Sequence, residues 1–143
     1  MTVLVTGGTG FVGPHVVHAL RARELPVRAL VRNPQRASRL AAWGVELAQG
    51  DVTEPASHRA ALEGVDAVVH LVAIIKGSSA DFERVMAQGT RNVVAAAKDA
   101  GVRRFVLASA LGLDERTKDA VPYFRAKWEM ERATKESGLE HVI

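Results

Sequence analysis

The sequence predicts a doubly wound α/β domain, a parallel sheet held between two layers of helices. Short, almost wholly apolar runs alternate with longer segments of helical period along the whole chain. Strands that are apolar on both faces are buried on both faces, which is the signature of a parallel sheet with helices above and below. Hydrophobic residues make up 48% and charged residues 24% of the 143 positions, so the chain has the composition of one globular domain with a core of its own.

The elements follow in order. Val3–Thr6 is a strand because three of its four residues are β-branched. A glycine-rich turn leads into a helix over Val12–Arg23. Strand Val27–Val31 precedes a helix over Pro34–Ala42, where Pro34 suits a first helical turn after Asn33. Strand Val45–Gln49 precedes a helix over Pro55–Leu62, with Pro55 placed in the same way after Glu54. Strand Ala67–Leu71 leads to the longest helix, Asp81–Ala100. Strand Arg104–Ala108 leads to a helix over Val121–Ser137, and a last strand begins at His141. Gly44, Gly101 and Gly138 stand just past helices, where a left-handed residue closes the last turn, and Gly64 precedes its strand similarly. The expected strand order is 3-2-1-4-5-6. With its end falling inside a strand, the sequence reads as residues 1–143 of a longer protein.

Composition excludes several classes of function. The longest apolar run, Ala67 to Ile75, is broken by His70 and is too short for a transmembrane segment. No basic stretch precedes an apolar one at the N-terminus, so no signal peptide is expected and the expected location is cytoplasmic. Without cysteine there is no disulfide framework and no thiolate metal site, and no metal is expected. The net charge of +3 comes from basic residues scattered among acids, and only 5% of residues are aromatic, so no nucleic-acid partner is expected. A local anion such as a phosphate is a better use for some of the arginines.

The turn Thr6-Gly7-Gly8-Thr9-Gly10-Phe11-Val12-Gly13 lies at the first strand-to-helix crossing. Gly7 suits the positive φ of a tight turn, a side chain at Gly10 would keep a pyrophosphate from the backbone, and Gly13 would let the helix lie close on the strand. Unspent amides and the positive end of the helix dipole would face the anion. No Gly-Lys-Ser/Thr follows, so this is not a P-loop; the pattern is that of a Rossmann turn for a dinucleotide. Where an NAD site places an acid on the ribose, at the end of the second strand, the chain has Arg32. Its guanidinium would fork a 2′-phosphate, so NADP is preferred over NAD, the alternative for Arg32 being a solvated strand end. Asp51, after the third strand, suits two roles, accepting from an adenine amino group or capping the helix near Pro55.

Six stretches carry a resemblance: the glycine turn; Gly50-Asp51-Val52; His70-Leu71-Val72-Ala73; Gly89-Thr90-Arg91-Asn92-Val93-Val94; Arg103 to Gly112; and Tyr123-Phe124-Arg125-Ala126-Lys127-Trp128-Glu129. As a set they resemble the extended and atypical branches of the short-chain dehydrogenase/reductase superfamily (the NAD-dependent epimerase/dehydratase family). Within it they are most similar to bacterial proteins like the NAD(P)H-binding accessory subunit of respiratory complex I and to nitrogen-regulator-like NAD(P)-binding proteins. The resemblance implies that Gly7, Thr9, Gly10, Phe11, Val12, Gly13, Arg32, Asp51 and Val52 contact the dinucleotide. It also implies that Leu71, Val72 and Ala73 pass under its ribose and pyrophosphate by backbone contact. Asn92 matches an asparagine that steadies the long helix or a water near the active site; its other reading is a polar residue on a solvated face.

Tyr123 and Lys127 have the YxxxK spacing of that superfamily, about one helical turn, which sets both on one face. The ammonium is expected to favour the phenolate and lower the tyrosine pKa, so that Tyr123 serves as acid/base while Lys127 supports it and holds the nicotinamide ribose. Ser109 either donates to a substrate carbonyl or closes the strand end on backbone. Ala110 and Leu111 follow it where extended relatives carry further serines, a pattern of branches in which cofactor binding outlives catalysis. The resemblance therefore implies an NAD(P)-dependent oxidoreductase or epimerase-like enzyme acting on a small molecule. The alternative is a non-catalytic NADP(H)-binding sensor or accessory subunit, as a homodimer or within a larger redox complex.

Overall fold

The computed structural model describes all 143 residues. Six parallel strands form one sheet in the order β3-β2-β1-β4-β5-β6. They are β1 (Val3–Thr6), β2 (Val27–Val31), β3 (Glu46–Gln49), β4 (Ala67–His70), β5 (Arg104–Leu107) and β6 (Glu140–Val142). The central register runs Val3 to Val27 on one side of β1 and Val3 to Ala67 on the other. The strand order is the expected one, and β6 begins one residue earlier than expected.

Side-chain alternation along each strand divides the interior into two cores. Val3, Val5, Val27, Ala29 and Val31 pack with Val17 of α1 (Gly13–Arg21) and Leu40 of α2 (Ser38–Ala42). Leu4, Leu30, Val68, Phe105 and Leu107 face the other way, onto α3 (His58–Leu62), α4 (residues 79–99) and α5 (Pro122–Lys135). This is the three-layer arrangement expected. The second and third helices are shorter than the sequence suggests: Pro34–Ala37 and Pro55–Ser57 wind as 3-10 turns before α2 and α3. Proline suits the first position of each turn, whose N–H would have no partner within the helix, and 3-10 winding is common at such helix starts.

Helix α4 starts at Ser79 rather than Asp81, because Ser78 and Asp81 form a capping box: Oγ of Ser78 accepts from the Asp81 amide at 3.2 Å and Asp81 accepts from the Ser78 amide at 2.9 Å. After the first turn the helix widens to a π-helix over Phe82–Gln88, then continues as α-helix over Gly89–Asp99. No helix is long and apolar enough to cross a membrane.

Candidate functional site

Strand order reverses direction between β1 and β4, and in open parallel sheets ligands bind beyond the carboxyl ends of the strands at that point. The glycine turn sits there. Gly7 has φ +76°, and a Cβ on it would come within 2.9 Å of the Leu71 carbonyl carbon and 3.0 Å of the Val72 amide nitrogen. The turn after β1 and the segment after β4 are thus in contact through bare backbone. A Cβ on Gly13 would stand 2.3 Å from the Gly7 carbonyl oxygen and 2.5 Å from Gly8 backbone atoms. The close approach that Gly13 allows is to the turn itself rather than to the strand. At Gly10 the only near atom is the Gly7 oxygen at 3.3 Å, so that side of the turn is open.

Thr9, Gly10, Phe11 and Val12 are exposed, Phe11 at 92%. The amides of Phe11, Val12 and Gly13 have no acceptor in the protein, no side chain caps α1, and its first turn holds no acid. Three N–H groups at the positive end of a helix, beside a glycine that leaves the approach clear, are a fit for a phosphate anion.

Around this turn the expected contact residues take their places on neighbouring loops. Arg32 is exposed at the end of β2 and has no ion-pair partner; Arg36 and Arg39, also exposed and unpaired, follow within the next turns. Asp51 does not cap the helix after Pro55. Its Oδ1 accepts from the amide and hydroxyl of Thr53 at 2.9 and 2.8 Å, closing a local turn, and Glu54 stands at the helix start without a side-chain bond. Val52 is buried against Gly89, where a Cβ would lie 2.8 Å from its Cγ2. Asn92 donates to the Val52 carbonyl at 3.0 Å, so it ties α4 to the loop after β3. Leu71 and Val72 are half-buried and Ala73 is exposed.

The other half of the site hangs from β4, β5 and α5. His70 is fully buried between two hydroxyls. Thr90 spends its proton on the Met86 carbonyl at 2.6 Å, so His70 Nε2 donates to Thr90 at 3.0 Å while Thr6 donates to Nδ1 at 2.7 Å. Burial, with the charges of Lys127 and His58 behind it, pushes the imidazole down to about 3, so His70 is neutral in a single tautomer. Lys127 is 2% exposed and donates from Nζ to the Ala108 carbonyl at 2.6 Å. Burial lowers its pKa to about 8, against a rise from the Glu131 charge.

Tyr123 stands one turn earlier, its ring edge-on to Phe82 at 6.2 Å and 5.7 Å from the Lys127 nitrogen. The expectation of a lowered tyrosine pKa is corrected here: partial burial raises it. The ammonium stands over the ring, and its hydrogen bond goes to Ala108.

Ser109 does not close the strand end on backbone; it donates to Oε1 of Glu131 at 2.6 Å. Sequence reasoning passed over Glu131, although it lies four residues beyond Lys127, where an i,i+4 partner belongs. It also passed over the Thr6–His70–Thr90 chain, whose members are far apart in sequence.

An open parallel sheet with an unspent glycine turn at its switch point defines a Rossmann dinucleotide-binding domain. The chain belongs to the NAD(P)H-binding family, whose sequence model matches residues 7–143. It is similar to the photosystem II assembly factor Ycf39 of Cyanophora paradoxa, 32% identical over 143 residues, covering 100% of this chain and 44% of that protein. Among solved structures, a short-chain dehydrogenase/reductase superfamily protein from Agrobacterium tumefaciens with bound NAD superposes with TM-score 0.83 at 31% identity, over 100% of this chain and 48% of its own. The NADPH-dependent quinone oxidoreductase QOR2 of Escherichia coli, complexed with NADPH, gives TM-score 0.80 at 31% identity, over 97% and 46%. The chain spans about half the length of these relatives.

Proposed function

We propose that this domain serves an NADP(H)-dependent reductase, with Tyr123 as the proton donor to a substrate oxygen and Lys127 as its partner. The observation that supports the reading is the pairing on consecutive turns of α5 of the Tyr123 ring with the buried Lys127 nitrogen, 5.7 Å apart, at the same end of the sheet as the glycine turn. The backbone of Phe11, Val12 and Gly13 would hold the pyrophosphate, and Leu71 and Val72 would lie beneath it. Bound nicotinamide supplies or accepts hydride at the substrate carbon. With its pKa raised by burial, Tyr123 keeps its proton at neutral pH and suits the reductive direction, in which the substrate oxygen gains that proton and solvent restores it. Lys127 has further N–H donors for a ribose hydroxyl beyond the one spent on Ala108. The unpaired Arg32, with no carboxylate beside it at the end of β2, favours NADP over NAD.

Tyr123→Phe tests this. NADPH-dependent reduction of a para-quinone falls at least about 100-fold while NADPH affinity by fluorescence titration stays unchanged. Turnover unaffected by Tyr123→Phe overturns the assignment. A second reading has its own observation: Ser109 has its proton engaged by Glu131, which suits a domain that binds NADP(H) without turning it over, as an accessory subunit or sensor. Tight NADPH binding with no turnover of the wild-type protein selects that reading.

A further inference from the structure

The loop that leaves β5 is gripped at two successive residues from two successive turns of α5. Lys127 takes the carbonyl of Ala108 at 2.6 Å, and Glu131 takes the hydroxyl of Ser109 at 2.6 Å. The second carboxylate oxygen of Glu131 accepts from Lys135 at 2.8 Å. The Glu131 side chain is 15% exposed and that of Lys135 is 55% exposed, so Lys135 holds the carboxylate from the solvent side and Ser109 from within. Burial alone would raise the Glu131 carboxyl; hydrogen bonds from Lys135 and Ser109, with the charges of Lys135 and Lys127, outweigh it and keep it below its ordinary value.

A serine hydroxyl has one proton and two lone pairs. With that proton on a carboxylate, Ser109 offers lone pairs to a bound molecule and no donor. We infer that Glu131 is a positioning residue: it fixes Ser109 as a hydrogen-bond acceptor facing the site, and its charge steadies the Lys127 ammonium one turn away. The substrate group that meets Ser109 is then a hydroxyl or an N–H, not the carbonyl oxygen being reduced, whose proton comes from Tyr123. The inference rests on the reading of Tyr123 and Lys127 as the acid–base pair, but its first test is independent of turnover.

The groups that face Lys127 are Glu131 and Tyr123 on its own helix, His70 on β4 and the Ala108 carbonyl after β5. Because His70 is neutral near pH 7, Glu131 is the one among them whose charge favours the ammonium. In protein labelled with 15N-lysine, the Lys127 side-chain resonance is assigned by its loss in Lys127→Arg and titrated from pH 6 to 11. Glu131→Gln moves the midpoint below the wild-type value of about 8, whereas Lys135→Gln moves it much less. An unchanged midpoint in Glu131→Gln overturns the link to Lys127, whether or not the protein turns over.

Where the wild type reduces a para-quinone, Glu131→Gln and Ser109→Ala are compared on a plain quinone and on one carrying a hydroxymethyl group beside the carbonyl, whose O–H stays protonated. The preference of the wild type for the hydroxymethyl quinone in kcat/KM falls about tenfold or more in Ser109→Ala, as for loss of a hydrogen bond. An unchanged preference sinks the acceptor role. If Glu131→Gln does not fold, Glu131→Asp, which keeps the charge on a shorter stem, serves instead. It retains the Lys127 midpoint and loses the hydroxyl preference; loss of both or of neither overturns the division of roles.

Discussion

The two halves of this site are built from opposite materials. Around the turn after β1 the design is subtraction: glycines clear the space, three amides have no acceptor, and the nearby arginines have no acid. Around β4, β5 and α5 the groups are tied to one another, His70 by two hydroxyls, Lys127 by a carbonyl, Ser109 by a carboxylate. What is left for a ligand is the Tyr123 hydroxyl, the lone pairs of Ser109 and the remaining N–H groups of Lys127. The first half waits for a ligand to complete its hydrogen bonds, so it advertises what it binds. The second is held in shape by its own bonds, and a ligand would meet only the capacity those bonds leave over.

The largest expected effect breaks the first half. Gly13→Ala drives a methyl into the Gly7 carbonyl and the Gly8 backbone, atoms that cannot turn aside, and costs about 3 kcal/mol, with loss of NADPH binding. Gly10→Ala meets only one oxygen at 3.3 Å, so it lowers NADPH affinity with little change in thermal stability. Equal stability losses in the two variants would erase the distinction between a packed and a cleared glycine.

The second half is tested by pH. His70 has a folded-state pKa near 3 and an ordinary value of 6.5, so the unfolded chain takes up a proton between these values and the folded chain does not. Its contribution to stability is complete above pH 6.5 and is lost as pH falls toward 3, and denaturant melts of His70→Gln show a flatter acid limb than the wild type. Lys127 behaves in the opposite range. Folded it releases its proton near pH 8 and unfolded near 10.5, so stability rises with pH through that window, and the cost of the buried charge is greatest below pH 8. Lys127→Met removes that rise, measured as a narrowing gap between mutant and wild type from pH 8 to 10.

The smallest effect sharpens the boundary between the halves. Arg32→Ala weakens NADPH binding about tenfold and leaves NADH unchanged, which fluorescence titration of both cofactors reads directly. Equal losses for both cofactors would assign Arg32 to the shared pyrophosphate or to the fold.

What was legible in the sequence follows the same division. The alternation of strands and helices, the cover on both sheet faces and the glycine turn were readable because they depend on local period and on residues missing a side chain, such as Gly7 and Gly13. Helix starts were misplaced by two residues at Ser79 because the capping box was overlooked, and the 3-10 turns at Pro34 and Pro55 were merged into longer helices. Tyr123 and Lys127 were found by spacing, but the direction of the tyrosine shift was not. That shift comes from partial burial of the phenol while the lysine spends its hydrogen bond on the Ala108 carbonyl, nineteen residues away, and neither leaves a mark in a motif. Glu131 was hidden for the same reason, since its partner Ser109 is twenty-two residues distant.

The wide turns of α4 over Phe82–Gln88 have a consequence for chain length. A π-helical stretch holds more residues per turn than the α-helix on either side of it, so it stores surplus chain without turning the flanks. Removing one residue there lets the stretch relax to α-helical winding while Ser79 and Thr90 keep their orientations, and the same deletion after Gly89 would rotate everything upstream by about 100°. The π-helical stretch is thus the part of the helix suited to absorbing the loss of a residue, and it lies against Tyr123 through Phe82.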